Sequence, residues 1–267
     1  MKQAFSAGER FWQRVLFRIR PAILASWMKR LIGLRRRDIE TDYGSFHVDP
    51  VSQFALALTS AKGYEPEMSH AVGWFLKPGG TFVDIGANEG FFAVMAARIV
   101  GTGGKVVAVE PQSRLQAVVE RNFRLNGVTN AALVPCAISD REGRVDLFVS
   151  PDTNTGSTGL QNMTRYRLAT ESVPVMTLLK LFESHSIASA DLVKMDIEGA
   201  EFEAILGSPA LFESRRIKAF AFEMHEAAIA RRGGDPKDVI RFLEKCGYAL
   251  AAGLPASVWV APGAAIR

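Results

Sequence analysis

The spacing of apolar residues divides the chain into a helical N-terminal part and a long part in which short apolar runs alternate with amphipathic stretches. The runs predict strands at 81–85, 105–109, 131–138, 191–195 and 217–222. The stretches between and after them predict helices at 91–100, 114–125, 177–183, 201–206 and 236–246. Strands that alternate with helices are typical of a parallel, doubly wound sheet. The expected fold class is therefore α/β.

Shorter segments complete this pattern. Runs 145–149 and 172–176 predict extra strands on either side of a polar segment, and 248–253 with 257–260 predict a C-terminal hairpin. Near the N-terminus, apolar residues recur at helical spacing on both sides of Pro21, which predicts two short amphipathic helices. We therefore expect a helical arm at 1–40 and a single domain at 41–267.

The composition is that of an ordinary globular protein, since 48% of the 267 residues are hydrophobic and 22% are charged. No apolar stretch approaches the roughly 18 residues that span a bilayer. Two cysteines, Cys136 and Cys246, cannot form a disulfide framework. We expect both to be small buried residues, in a reducing, cytoplasmic compartment.

The formal net charge of +4 conceals an asymmetry between the arm and the body. Residues 1–37 contain ten basic side chains against one acid, whereas the remaining chain holds 22 basic and 27 acidic residues. Because the basic charge belongs to the arm alone, we expect no nucleic-acid partner. The arm has three interpretations: a helical cap on the body, an interfacial helix on an anionic membrane, or a mitochondrial targeting segment.

A glycine turn follows the first predicted strand of the sheet. Gly86 and Gly90 allow a tight turn and a close approach to a ligand, and Glu110 ends the next strand, where a carboxylate can accept the hydroxyls of a ribose. A dinucleotide fingerprint has a glycine where this chain has Asn88, so a pyrophosphate would meet a side chain. S-adenosylmethionine has a ribose and no phosphate, and it is therefore favoured over NAD.

Five motifs, most of them following predicted strands, carry a family resemblance. They are Asp84-Ile-Gly-Ala-Asn-Glu-Gly90, Val109-Glu110-Pro111, Asn122 to Asn126, Ala137-Ile-Ser-Asp140 and Lys194-Met-Asp-Ile-Glu-Gly-Ala-Glu201. With Gly63-Tyr64-Glu65-Pro66 upstream, they resemble the FkbM-type family of S-adenosylmethionine-dependent methyltransferases over roughly residues 63–226. The resemblance implies a class I, Rossmann-like, seven-stranded sheet that is mostly parallel with its last strand antiparallel. The arm lies outside it.

The motifs and the turn together predict the binding site of the cofactor, S-adenosyl-L-methionine. The candidate residues are Glu65, Asp84, Gly86, Ala87, Asn88, Gly90, Glu110, Pro111, Ala137 and Asp196. The resemblance also implies a hydroxyl acceptor, because many members of the family methylate hydroxyls on sugars, lipids or polyketide-like products.

A second group of polar residues follows the fourth and fifth predicted strands, at the sheet edge where ligands bind in open α/β folds. Methyl transfer to a hydroxyl requires removal of a proton, for which Asp196 is the first candidate and His225 the second. Glu198 and Glu223 are candidates for contacts with the acceptor substrate. Arg165 in the polar segment 152–167 is a further candidate, suited to an acidic acceptor.

Two alternatives stay open at this second group. Asp196 and Glu223 offer carboxylate oxygens to a divalent metal, although two acids do not by themselves predict one.

The expected function is an O-methyltransferase acting on a small-molecule, sugar or lipid-linked acceptor. The alternative is a membrane-associated module that binds an adenosyl ligand and has lost catalysis.

Overall fold

The computed structural model describes residues 5–19, 22–162, 168–253 and 257–264. In chain order the strands are β1 (Arg37–Thr41), β2 (Gly44–Val48), β3 (Thr81–Ile85), β4 (Lys105–Val109), β5 (Ala131–Val134), β6 (Ala137–Ser139), β7 (Gly143–Val149), β8 (Ala169–Thr177), β9 (Leu192–Met195), β10 (Ala219–Phe222), β11 (Ala249–Leu250) and β12 (Val258–Val260). The helices are α1 (Ala7–Arg18), α2 (Ala22–Leu31), α3 (Gln53–Leu58), α4 (Pro66–Phe75), α5 (Phe91–Val100), α6 (Ser113–Leu125), α7 (Leu178–Ser184), α8 (Glu201–Leu206), α9 (Pro209–Glu213), α10 (Glu226–Arg231) and α11 (Pro236–Lys245). A 3₁₀ helix covers Asp152–Ser157.

Seven strands form the central sheet in the order β11-β12-β10-β9-β3-β4-β5. Strands β3, β4, β5, β9 and β10 run parallel, and β12 is antiparallel to both of its neighbours. This confirms the predicted sheet and its reversed last strand. Ile85 pairs with Val109 on one side and with Met195 on the other. The chain segments that leave β3, β4 and β9 therefore emerge side by side at one edge.

Alternate side chains of the central strands pack on opposite faces of the sheet. Phe82 and Leu192 belong to one apolar cluster, which includes residues of α4 and α5. Val83 and Val193 belong to another, with residues of α7, α8 and α11. Burial on both faces explains why these strands are nearly continuous apolar runs.

One predicted strand is wrong in its extent. The apolar run 131–138 forms two strands, β5 and β6, which lie in different sheets. Pro135 stands between them and has no N–H to donate to a ladder, so pairing stops there. Strand β6 instead joins β7 and β8 in a separate three-stranded sheet, which contains the two extra strands that we predicted.

The N-terminal part consists of the two predicted helices followed by a hairpin that the apolar pattern did not reveal. Helix α1 begins with a capping box between Ser6 and Glu9, a common N-terminal signal. Pro21 lies outside the described residues. The β1–β2 hairpin spans residue 40, where we expected the arm to end. Among the described residues, no helix has the length and hydrophobicity required to cross a bilayer.

Candidate active site

The glycine turn after β3 is shaped by close contact with two neighbouring segments. Gly86 and Ala87 donate backbone N–H bonds to Val109 O at 3.0 and 2.9 Å. Gly86 has φ 80°, and a Cβ atom there would lie 1.9 Å from the backbone oxygen of Asp196. Only glycine fits this position, because the chain that leaves β9 passes directly over it.

Glu110 follows β4 and is held by backbone donors from both sides. Its Oε2 accepts from Asn88 N at 2.8 Å and its Oε1 from Gln112 N at 2.9 Å. The residue is only 2% exposed, and burial raises its pKa to about 7 despite these two bonds. Each oxygen retains a lone pair for a further donor, so the carboxylate is positioned for a pair of ligand hydroxyls.

Lys194 of β9 joins the turn to the acids around it, a role that the sequence did not suggest to us. Its Nζ donates to Gly86 O at 2.9 Å and lies 3.6 Å from Asp84 Oδ1 and 3.9 Å from Asp196 Oδ2. Burial raises the pKa of Asp84, and the ammonium opposes that shift. Burial lowers the pKa of Lys194, but the surrounding carboxylates raise it above its ordinary value. Lys194 therefore carries the charge that compensates Asp84.

A cavity of about 250 Å³ opens beside this turn. The candidates that line it are Glu65, Gly86, Ala87, Asn88, Glu110, Pro111, Ala137, Asp196 and Glu198. Asp84 and Gly90 support the turn from outside this lining, and Arg165 lies outside the described residues. Cys136 also lines it and is 2% exposed, as expected for a buried thiol, whereas Cys246 is only partly buried.

The polar segment that we expected to bind the acceptor contributes a wall to this same cavity. Thr155 of the 3₁₀ helix donates from Oγ1 to Asn88 Oδ1 at 2.8 Å. Gln112 donates from Nε2 to Thr155 O at 3.2 Å and is itself buried. These contacts fix the Asn88 side chain, which replaces the glycine of a dinucleotide fingerprint.

Two further acids, Glu89 and Glu65, line the first cavity on the side of the N-terminal segment and α4. Glu89 is buried, and its two oxygens accept from Arg36 at 2.8 and 3.1 Å. Glu65 precedes α4 with φ 38°, and burial raises its pKa. Tyr64 packs edge-on against Phe91. Arg36 directly precedes β1 and also donates to His47 O of β2, so the N-terminal segment supports the site, which no sequence motif indicated.

The second predicted group assembles around one imidazole after β9 and β10. Nε2 of His225 lies 3.5 Å from Glu198 Oε2, 3.9 Å from Asp196 Oδ1 and 4.0 Å from Glu223 Oε1. The hydrogen bond to Glu201, opposed by burial, raises the pKa of His225 to about 9. Burial, opposed by the charge of His225, raises the pKa of Glu198 to about 7. The structure thus brings together all four residues named for this edge.

Glu201 is the residue that orders this second group. It is fully buried at the start of α8, and its Oε1 accepts from His225 Nδ1 at 3.0 Å. The same oxygen accepts from Ile197 N at 3.1 Å and Gly199 N at 3.2 Å. In the sequence, Glu201 stands at the end of the last family motif, and we gave it no role in the site. Its signal in the sequence was its position three residues after Glu198, which places it under the loop it holds.

A larger cavity of about 620 Å³ adjoins the second group and shares Glu65 with the first cavity. Glu223 lines it with apolar side chains that include Met68, Met224 and Trp259. Asp196 and Glu198 therefore line the first cavity and Glu223 lines the second, and all three carboxylates face His225.

The fold and this site define a class I, Rossmann-like methyltransferase. A sequence model of the FkbM methyltransferase domain matches residues 84–250, and the chain belongs to the FkbM methyltransferase family. This confirms the predicted family, and with it a methyltransferase that uses S-adenosyl-L-methionine as its methyl donor. No curated protein matches the chain in sequence.

Solved structures with a similar fold are distant in sequence. A precorrin-6y C5,15-methyltransferase of Geobacter metallireducens is 15% identical over 74% of this chain and 79% of its own, with a TM-score of 0.43. An O-methyltransferase of Bacillus cereus in complex with SAH is 14% identical over 77% and 86%, with a TM-score of 0.41.

A Clostridium thermocellum protein designated an rRNA methylase is 20% identical over 27% of this chain, with a TM-score of 0.26. This chain spans 41% of the length of that protein. Our expectation that nucleic acid is not a partner stays an unsupported prediction.

Proposed function

We propose that the protein transfers the methyl group of S-adenosylmethionine to a hydroxyl on a small-molecule, sugar or lipid-linked acceptor. The observation that carries this proposal is the place of Asp196. Its carboxylate lines the cofactor cavity and lies 3.9 Å from His225, beside the acids of the second cavity. A partly exposed carboxylate that lines the cofactor cavity and lies near a second cavity suits the removal of a hydroxyl proton.

The reaction is a displacement at the methyl carbon. The bond from sulfur to carbon breaks, a bond from the acceptor oxygen to carbon forms, and the hydroxyl proton passes to Asp196. His225 is less suited to receive that proton, because a pKa of about 9 keeps it protonated at neutral pH. We propose that His225 balances the charge of Asp196 and orients its carboxylate. Glu198 and Glu223 would accept hydrogen bonds from hydroxyls of the substrate.

The character of the second cavity supports an acceptor with an apolar portion and a hydroxyl. Met68, Met224 and Trp259 provide apolar contact area, and Glu223 offers oxygens to hydroxyl donors. An acceptor seated there would present its hydroxyl toward Asp196 and the cofactor cavity.

The test is incubation of the full chain with methyl-labelled S-adenosylmethionine and separate fractions of hydroxylated small molecules, sugars, lipids and RNA. We expect mass spectrometry to find the label as an ether methyl on a hydroxyl-bearing compound, and Asp196→Asn to remove it. Label found only on nitrogen, carbon or RNA would overturn the proposed acceptor.

We further propose that α2 contacts an anionic membrane. Leu24, Trp27 and Leu31 lie on one face of this helix and are 43%, 59% and 66% exposed. Arg14 and Arg18 of α1 are exposed and basic. An exposed apolar face in a segment rich in basic side chains is the pattern of helices that lie in the interface of a membrane.

This contact predicts that full-length protein sediments with phosphatidylserine-containing vesicles and is released by high salt. Replacing Trp27 and Leu31 together by Ala should reduce the bound fraction several-fold. Leu250→Ala is the matched control, since Leu250 is 56% exposed on the body. Equal sedimentation of both variants would contradict the proposal.

A further inference from the structure

The imidazole of His225 faces three carboxylates at distances that exceed those of hydrogen bonds. Nε2 lies 3.5 Å from Glu198 Oε2 and 3.9 Å from Asp196 Oδ1, whereas hydrogen bonds from a charged nitrogen to a carboxylate are about 2.7–2.9 Å long. Nε2 of His225 therefore lies near these carboxylates without forming a hydrogen bond to them. One ligand atom from each of Asp196, Glu198 and His225 lies within 4.8 Å of the others.

These separations fit a common central ion. Two ligand atoms bound at about 2.1 Å from a metal lie at most about 4.2 Å apart. The distances from Nε2 to Asp196, Glu198 and Glu223 are 3.9, 3.5 and 4.0 Å, all below that limit. The distances from Nε2 to these three carboxylates are therefore compatible with one shared ion.

Glu201 supplies a second, independent observation. It accepts from Nδ1 of His225 at 3.0 Å, and because Nδ1 keeps its proton, a metal ion that displaces the proton of Nε2 would bind that nitrogen on the side of the three acids. A carboxylate behind a histidine in this way is typical of metal-ligating histidines. The other oxygen of Glu201 is buried and has no hydrogen-bond partner among the described residues. Neighbouring donors therefore do not fully compensate the negative charge of the Glu201 carboxylate.

The balance of charge points the same way. Asp196, Glu198, Glu223 and the buried Glu201 surround a single imidazole. Lys194, the ammonium close to Asp196, already donates to Gly86 O and lies near the buried Asp84. A divalent cation would offset the remaining negative charge, and one imidazole nitrogen with several carboxylate oxygens suits ions such as Mn²⁺ or Zn²⁺.

We propose that Asp196, Glu198 and His225 bind one divalent transition-metal ion, with Glu201 positioning the imidazole and Glu223 available as a further ligand. The ligating side chains are between 22% and 29% exposed, which leaves coordination positions open to a ligand. If the proposed O-methylation is correct, on which this role rests, the ion would bind the acceptor hydroxyl and ease the loss of its proton.

The experiment measures metal binding apart from catalysis. Full-length protein stripped with a chelator is titrated with Mn²⁺, followed by electron paramagnetic resonance, and separately with Zn²⁺ by calorimetry. We expect one ion per chain for at least one metal. Affinity should fall at least tenfold in His225→Ala and in Asp196→Asn, and His70→Ala, which alters an exposed histidine of α4, should bind like wild type.

Glu201→Gln tests the positioning role, and we expect a loss of 10- to 100-fold in metal affinity with all ligands still present. Because Glu201 is buried, circular dichroism and S-adenosylhomocysteine binding check that this variant folds, and Glu201→Asp should restore part of the affinity. The proposal is overturned if wild type binds neither metal, or if binding is unchanged in His225→Ala. If a variant loses the metal and still methylates, the proposed role of the metal is wrong and the proposed function stands. If the metal binds and no methylation is found, the metal site stands and the proposed function is wrong.

Discussion

The two ends of the active site differ in how completely their carboxylates are hydrogen-bonded by the protein itself. At the ends of β3 and β4, both oxygens of the buried Glu110 receive backbone donors at 2.8 and 2.9 Å. At the ends of β9 and β10, Asp196, Glu198 and Glu223 stand 3.5 to 4.0 Å from one shared imidazole. The first end is preformed, and the second retains binding capacity.

This difference indicates a division of tasks. In the proposed function, the β3–β4 end would bind a cofactor that is the same in every turnover, so a fixed and buried geometry would serve it. The β9–β10 end would contact the acceptor and the reacting atoms, where charge changes during the reaction. Changes of shape should therefore damage the first end most, and changes of charge the second.

The largest effect is expected from Gly86→Ala. The new Cβ would meet the Asp196 backbone at 1.9 Å, and we expect a loss of about 3 kcal/mol or more in the free energy of unfolding, with no S-adenosylhomocysteine binding. Gly79→Ala is the matched control, because Gly79 shares φ 80° but has open space around it. It should lose about 1–2 kcal/mol and bind normally. Equal loss in both variants would show that the close approach is unimportant.

Asp196→Asn tests the second end by changing charge at constant shape. We expect turnover to fall by about 10²–10⁴ while S-adenosylhomocysteine affinity stays within a few-fold. Asp191→Asn is the control, since Asp191 begins the segment into the same strand and is as exposed as Asp196, 29% against 28%. Steady-state kinetics and calorimetry measure the two quantities. Loss of cofactor affinity would place Asp196 against the methionine portion of the cofactor instead.

The sheet was predictable because its strands are buried on both faces and its turns use glycine. The predicted bounds of β3 and β4 agree with the structure residue for residue. The failure at 131–138 has a local cause, since apolarity continues through Pro135 while hydrogen bonding stops. Periodicity reports burial, and it does not report which sheet a strand joins.

The position of a candidate residue was predictable where it directly follows a strand, as Glu110 and Asp196 do, and both line the first cavity. It was not predictable where a residue acts through a partner distant in sequence. Arg36 reaches Glu89 across 53 positions, and Glu201 reaches His225 across 24. No spacing rule connects such pairs, because the connection exists only in the folded chain.

A moderate effect is expected from Glu110→Gln. The amide replaces one of the two acceptor oxygens with a donor and removes the charge, so S-adenosylhomocysteine binding should weaken by about 1–3 kcal/mol. Glu120→Gln, a change on the exposed surface of α6, is the control and should bind like wild type. Calorimetry gives both affinities. Unchanged binding in Glu110→Gln would show that this acid does not contact the ligand.

The smallest effect is the dependence of cofactor affinity on pH. Burial raises the pKa of Glu110 to about 7 in the ligand-free protein, and hydroxyl donors favour its ionised form. A folded pKa above the ordinary value means that this group stabilises the ligand-free fold at low pH, and that this contribution is lost as pH rises through 7. Hydrogen bonds from the ligand hydroxyls to the ionised Glu110 should compensate for this lost stability, so the ligand should bind more tightly at high pH.

Affinity for S-adenosylhomocysteine should therefore fall about tenfold between pH 8 and pH 6, because the ionised fraction of a group with pKa 7 falls by that factor. Glu198 also has a pKa near 7, so two variants decide which acid is responsible. Calorimetry across this range should show the dependence lost in Glu110→Gln and kept in Glu198→Gln. The reverse result would link the cofactor to the β9–β10 end, and the proposed division of tasks between the two ends would be wrong.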